Sequence, residues 1–194
     1  MAEKQQQKAA VVDKKKIKKR WYPILAPKLF NGQQVGEGYA EEPRQLEGRT
    51  VTLNLMTLNR DPKKQSIEVT LKVKEIKNNQ AETELVSYGI MGTQVKRLTK
   101  KTKTRVNDSF MVTSNDNITY RIKPMILLKP KVANSMAANI RKIANEIIKD
   151  HAAKETYQKI VKDIISGTLQ KELKDNVDKI HPTALCAIRA LKRE

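Results

Sequence analysis

The sequence predicts an α+β protein in which an antiparallel, β-barrel-like sheet is followed by a C-terminal helical half. Three observations lead to this class. Apolar and polar residues alternate with a period of two between residues 48 and 122, which is typical of half-buried strands. After Pro130 the apolar period lengthens to about 3.6, as in amphipathic helices. Residues 1–20 follow neither period, so we expect three regions: 1–20, 21–131 and 132–194.

Residues 1–20 are predicted to form a disordered basic arm. They hold eight Lys or Arg residues against two acids, and the Lys run repels itself. We expect residues 1–16 to be disordered in the free protein and ordered on RNA, because they cannot bury enough apolar area to offset backbone entropy. Residues 21–47 are punctuated by Pro23, Pro27, Pro43 and several glycines, which favours irregular structure.

Strand patterns begin at Gly48. The alternating segments are Val51–Leu55, Ile67–Val73, Ala81–Ser87, Phe110–Val112 and Ile118–Ile122. Turn-forming residues separate several of them, including Asn78-Asn79 and Ser114-Asn115-Asp116-Asn117. Pro124 predicts that the last strand ends there or lies on an edge. Five or more short strands joined by tight turns favour a sheet that is closed or curled into a barrel.

Two apolar helical faces follow, and a third short helix is indicated. The faces comprise Ile140, Ile143, Ala144, Ile147 and Ile148, then Tyr157, Ile160, Val161, Ile164 and Ile165, then Leu169, Leu173 and Val177. Gly167 is expected to break the second helix. Residues Thr183–Leu191 fit either a helix or a strand.

Positive charge is concentrated rather than spread. The chain carries +18 overall, whereas residues 21–93 hold nine basic and nine acidic residues. Residues 94–105 hold six Lys or Arg residues and no acid. Because self-repulsion opposes compaction, concentrated cations indicate a polyanionic partner, of which nucleic acid is the commonest.

Two tracts supply the candidate RNA-binding residues. They are Lys14, Lys15, Lys16, Lys18, Lys19 and Arg20 in the arm, and Lys96, Arg97, Lys100, Lys101, Lys103 and Arg105 in the second tract. The second tract lies between strand patterns, which predicts a projecting loop or hairpin whose cations meet phosphates. The alternatives are a solvated surface loop and, for the arm, a targeting tag or a membrane-surface patch.

Trp21 is the only tryptophan, and it stands where the arm meets a Pro-punctuated apolar stretch. Two roles are open to it: stacking on an unpaired base, or packing into the core as an anchor for the arm. The apolar residues that follow favour the core.

No pattern indicates catalysis, a cofactor or a metal. His151 and His181 are far apart, and Cys186 adds too few ligands for a zinc site. Gly36-Glu37-Gly38 lacks the Lys and Ser/Thr of a phosphate loop. A single cysteine excludes an intramolecular disulfide and, with no secretory signal and no long apolar run, predicts a cytoplasmic protein without a membrane partner.

The order of several short motifs is similar to a known family. The basic arm is followed by WYPILAPKLF at 21–30, GRTVTLNL at 48–55, the basic tract, Tyr120-Arg121-Ile122, Ile140-Arg141-Lys142-Ile143 and Ile180-His181-Pro182. Over about residues 16–192 the chain resembles the archaeal and eukaryotic small-subunit ribosomal proteins called S-one of the eukaryotic type, or S-three-A, with a length closer to archaeal members. One departure is His181, where the family often carries an aromatic residue.

The resemblance implies a non-enzymatic structural ribosomal protein with a β-barrel-like core and C-terminal helices. It would sit on the small-subunit platform near the messenger exit and the rRNA 3′ end, with the arm and Lys96–Arg105 facing rRNA. Its implied partners are small-subunit rRNA, neighbouring small-subunit proteins and, near the exit, messenger RNA. From the residues alone, a free RNA- or DNA-binding regulator remains the main alternative, although no helix-turn-helix pattern supports a major-groove reader.

Overall fold

A computed structural model describes residues 18–99 and 103–194, which form one mixed nine-stranded sheet and a layer of helices. The predicted disorder of residues 1–16 and the candidate residues Lys14, Lys15, Lys16, Lys100 and Lys101 lie outside the described residues. In the part of the chain that is described, no helix is both long and apolar enough to cross a membrane.

The strands and helices have the following bounds. The strands are β1 (Arg20–Leu25), β2 (Gln34–Ala40), β3 (Thr50–Asn54), β4 (Ile67–Lys77), β5 (Gln80–Ile90), β6 (Arg105–Asn107), β7 (Phe110–Thr113), β8 (Thr119–Leu128) and β9 (Thr183–Arg193). The helices are α1 (Leu55–Asn59), α2 (Gly92–Leu98), α3 (Asn134–Lys154), α4 (Tyr157–Ser166) and α5 (Thr168–Asp178).

The sheet and the helices confirm the α+β class. The sheet is open, so the expected closure into a barrel is wrong. Its main path runs β2-β1-β5-β9-β8-β6, with β3 and β4 joined at β5 and β7 joined at β8. The sheet branches because β5 pairs with three strands at different positions along its length. It pairs with β4 over most of its residues, with β9 at 87–89, and with β1 at 81–82 in the one parallel pairing of the described strands.

Residues 21–47 contain a hairpin, so the prediction of irregular structure there is wrong. β1 and β2 pair antiparallel from Arg20↔Ala40 to Leu25↔Gln34. One of the glycines that suggested irregularity, Gly38, is needed inside β2. A Cβ on Gly38 would lie 2.8 Å from a methyl carbon of the buried Leu46, so the strand passes over Leu46 only because residue 38 has no side chain.

β8 continues through Pro124, contrary to the expected end or edge position. Pro124 has neighbours on both sides, since β9 pairs on one side and β6 and β7 share the other. β7 pairs up to Ile122 and β6 pairs from Met125, so Pro124 falls at the junction between them. The register with β9 also shifts at this residue. Its missing N–H therefore interrupts the hydrogen-bond ladder where the ladder is already broken.

The three C-terminal helices are confirmed, and their apolar faces pack on one side of the sheet in a single large core. Gly167 ends α4 with a φ of +90°, a left-handed conformation that favours glycine. The undecided segment 183–191 is strand β9, inserted between β5 and β8. Residues 132–194 thus comprise the helices and one strand that returns to the sheet.

Candidate nucleic-acid interface

The arm enters the fold through three exposed cations, Lys18, Lys19 and Arg20. Arg20 is the first residue of β1. The Lys19 ammonium lies 3.9 Å from a carboxylate oxygen of Glu41 and 5.9 Å from the ring centre of Tyr39. Both contacts are exposed and worth little to stability. These cations therefore remain available to a partner.

Trp21 lies on the surface, so its expected role as a core anchor is wrong. It is 64 % exposed and stacks on Tyr39, itself 47 % exposed, with ring centres 4.7 Å apart and a tilt of 37°. Alternation along β1 explains this. Tyr22 and Ile24 point inward and are buried, which places Trp21 on the opposite face beside its cross-strand partner Tyr39. Tyr22 serves as the anchor.

The second basic tract is partly helical, which corrects the expected loop or hairpin. Residues 94–98 belong to α2, whose buried Val95 holds the helix against the protein. Lys96 and Arg97 are exposed in its last turn, where cations are favoured by the negative end of the helix dipole. The Thr99 hydroxyl donates to the Val95 carbonyl oxygen at 2.8 Å and helps to close that end.

The other end of this tract is fixed by two hydrogen bonds of Thr104, one of them to strand β8. The Thr104 carbonyl accepts from the Leu128 N–H at 2.9 Å, and its hydroxyl oxygen accepts from the Val132 N–H at 3.1 Å. Lys103 is half-buried, whereas Arg105 is exposed at the start of β6. The tract thus leaves β5 through α2 and rejoins the sheet at a fixed point beside β8.

The sheet brings further cations together that the sequence interpretation missed. Arg121 lies directly opposite Lys192, Lys123 opposite Ala190, and Arg105 opposite Leu127. Residues two apart on a strand share a face, so Arg105, Arg121, Lys123 and Lys192 project on one side of the sheet. The alternation of Ile118, Tyr120 and Ile122 already indicated an outward Arg121 and Lys123. Lys192 was missed because the conformation of its segment was undecided.

Charge is distributed unevenly across the sheet. Strands β6–β9 carry six cations and no acid, whereas β3–β5 carry three cations and four acids. The six are Arg105, Arg121, Lys123, Arg189, Lys192 and Arg193. Nucleic acid would therefore be attracted to the β6–β9 half of the sheet.

The buried titratable groups are unsuited to catalysis. Burial raises the pKa of the Cys186 thiol to about 11 and those of the Tyr88 and Tyr120 hydroxyls to about 12, so all three are neutral near pH 7. His151 lies 3.6 Å from an Asp163 carboxylate oxygen, a contact between two packed helices. Across residues 18–99 and 103–194, no three His, Cys, Asp or Glu side chains come together as a metal site would require.

Comparison with known proteins gives a consistent result. The family model described as Ribosomal S3Ae family matches residues 6–193. A relative from Halorubrum lacusprofundi, named small ribosomal subunit protein eS1, is 32% identical over 94% of this chain and 85% of its own length. Relatives of the same name from Saccharolobus islandicus and Nanoarchaeum equitans are 29% and 26% identical, over 94% and 89% of this chain and 87% of their own lengths.

Proposed function

Because the chain belongs to the ribosomal S3Ae family, we propose that it binds small-subunit rRNA on the subunit platform, near the messenger exit and the rRNA 3′ end. It is a non-enzymatic structural constituent of the small ribosomal subunit, and its partners are rRNA and other ribosomal proteins. As a constituent of the ribosome, it is expected in the cytoplasm, bound to the small subunit.

The family match over residues 6–193 carries this proposal, since it spans the helical half as well as the sheet. The distribution of charge supports RNA as the partner. The arm root at Lys18–Arg20, the end of α2 at Lys96 and Arg97, and Arg105 on β6 all present exposed cations. Contacts of this kind go mainly to phosphates and position a protein on RNA without reading its sequence.

The test of a permanent ribosomal role is co-sedimentation with small subunits across a salt series. A structural constituent that buries many contacts stays with the subunit in high salt, whereas a free nucleic-acid-binding regulator held by phosphate contacts washes off. Release of the chain at moderate salt, with the other subunit proteins retained, would favour the regulator.

The proposed location needs a second experiment. A cleavage reagent tethered at Gln45→Cys, in the exposed turn between β2 and β3, generates radicals that cut rRNA near the tether. The wild type is a suitable control because its Cys186 is buried and protonated. Cleavage near the rRNA 3′ end is expected. Cuts confined to parts of the rRNA remote from the 3′ end and the messenger exit would contradict the platform location.

A further inference from the structure

We propose that the outward face of β8 and β9 is a second phosphate-binding surface for rRNA, centred on Lys123, Arg189 and Lys192. This rests on the proposed function, since it names a surface for the same partner. Neither tract recognised in the sequence contains these residues. The helices pack against the opposite face of the sheet, and Lys123, Arg189 and Lys192 are exposed on this one, whereas Met125 and Leu127 further along the same row of β8 are buried.

The register of the two strands places the cations side by side. Arg121 and Lys192 are direct cross-strand partners, and Lys123 lies two residues further along β8, opposite Ala190. Arg189 falls at the register shift next to Pro124. Directly opposed side chains in an antiparallel pair have Cβ atoms about 5 Å apart. These residues therefore form a compact patch rather than a string of separate charges.

Most of this patch has no internal counter-charge. Arg121 is paired with Glu194 at 3.0 Å. Within the described residues, no carboxylate lies within 4.0 Å of Lys123, Arg189 or Lys192. Like charges directly opposite one another on a sheet are destabilising. Arg121 and Lys192 are the one such pair in this patch, and Glu194 offsets part of their repulsion, so a bound anion would mainly neutralise Lys123, Arg189 and Lys192.

The surface beside the cations carries only small side chains and is accessible. The outward row next to Lys192 and Ala190 on β5 consists of Ser87 and Gly89, which have small side chains or none. At Gly89, a Cβ would meet nothing closer than a carbonyl oxygen at 3.9 Å. A sugar–phosphate backbone can therefore approach the sheet closely while the longer Lys and Arg side chains reach its phosphates from the side.

A shallow depression of about 410 Å³ adjoins the patch, lined in part by Lys123, Arg189 and Asp108. Asp108 is the acid nearest to the proposed site, but its charge is already engaged. Its carboxylate accepts from the Asn145 side chain at 2.6 Å and from the Ser109 N–H at 2.8 Å, and it lies 4.0 Å from Arg141. These donors reduce its repulsion of a phosphate at Lys123.

The helical layer lacks such a patch. α3–α5 contain eight Lys or Arg residues and six acids, so their surface is nearly neutral. Lys142, Lys149 and Lys162 are exposed there and make a control of equal charge. This contrast separates a local contact from a general effect of net charge.

The experiment measures affinity for transcribed small-subunit rRNA of Saccharolobus islandicus across a salt series. The test variant is Lys123→Gln/Arg189→Gln/Lys192→Gln, and the control is Lys142→Gln/Lys149→Gln/Lys162→Gln. Each phosphate contact contributes roughly 0.7–0.9 to the slope of log affinity against log salt. The test variant should lower that slope by about two, and the control should change it by much less. Circular dichroism and thermal melting check that both variants fold.

The outcomes separate this inference from the proposed function. Failure of the wild-type protein to bind rRNA would count against rRNA binding itself. Wild-type binding with equal slopes for the two folded variants would overturn the β8–β9 surface alone. Unchanged rRNA affinity together with lost incorporation into subunits would also overturn it, since the face would then dock an acidic protein.

Discussion

Trp21 and Tyr39 form an exposed aromatic stack, with ring centres 4.7 Å apart, at the point where the basic arm joins the sheet. The pair is held by the β1–β2 register and not by the core. Lys19 lies beside Tyr39, so the stack is bordered by a cation. An exposed aromatic ring next to positive charge is suited to an unpaired nucleotide, whose base stacks while its phosphate meets the lysine.

Trp21→Ala should change the free energy of unfolding by less than about 1 kcal/mol, because the indole is mostly exposed. A fully packed tryptophan would cost about 3–5 kcal/mol instead. Chemical denaturation measures the difference, with Tyr22→Ala as the buried control one residue along. Since Trp21 is the only tryptophan, its fluorescence should also be readily quenched by acrylamide in the native state. A large loss of stability would show that Trp21 does anchor the arm in the core.

If the stack receives a base, the same variant should weaken rRNA binding by about 1–3 kcal/mol without changing the salt slope. Stacking involves no counterion release, which distinguishes it from the lysine contacts. Filter binding at several salt concentrations gives both quantities. Unchanged affinity would show that the pair does not stack on an rRNA base.

Replacing Lys100, Lys101 and Lys103 by Ala should flatten the salt dependence of rRNA affinity by about two. The reason is the density of cations between residues 94 and 105, where no acid offsets them. Circular dichroism should stay unchanged. A slope equal to that of the wild type would remove this tract from the RNA contacts.

Gly38→Ala should destabilise the protein by about 1 kcal/mol or more, because the added methyl would lie 2.8 Å from a Leu46 side-chain carbon. Gly36→Ala is the matched control on the same strand, since a Cβ there meets nothing within 4 Å. Thermal melting of both variants makes the comparison. Equal melting temperatures would mean that Leu46 moves aside at little cost.

Cys186 should resist thiol reagents in the native protein at pH 8. The side chain is buried and burial raises its pKa to about 11, so little thiolate exists. Reaction should become rapid once denaturant unfolds the chain. Fast labelling of the native protein would show that β9 detaches from the sheet readily.

Asp178 should contribute a pH-dependent stabilisation. Its carboxylate accepts from the N–H and the hydroxyl of Thr183, and these hydrogen bonds hold its pKa below the ordinary value. A lowered folded-state pKa stabilises the protein above the unfolded pKa, and the effect is lost as pH falls through the folded value. Asp178→Asn should therefore reduce stability at pH 7 and match the wild type in strong acid, with Asp175→Asn as control.

The helices could be predicted from the sequence because their signal is local. Ile140, Ala144 and Ile148 share one face of a helix whichever partner covers them, and Gly167 ends α4 through its own backbone freedom. The alternation at Ile67–Val73 indicates a strand for the same reason. The two basic tracts were visible because charge density is a property of the chain itself.

Tertiary structure decided the features that depend on distant partners. Thr183–Arg193 becomes a strand because β5 and β8 supply hydrogen bonds on both sides, and Pro124 is tolerated because β6 and β7 divide beside it. Trp21 faces outward because Tyr22 occupies the core side of β1. The cationic face of β8 and β9 arises only from strand register, since Lys123 and Lys192 lie far apart in sequence and become neighbours when the strands pair.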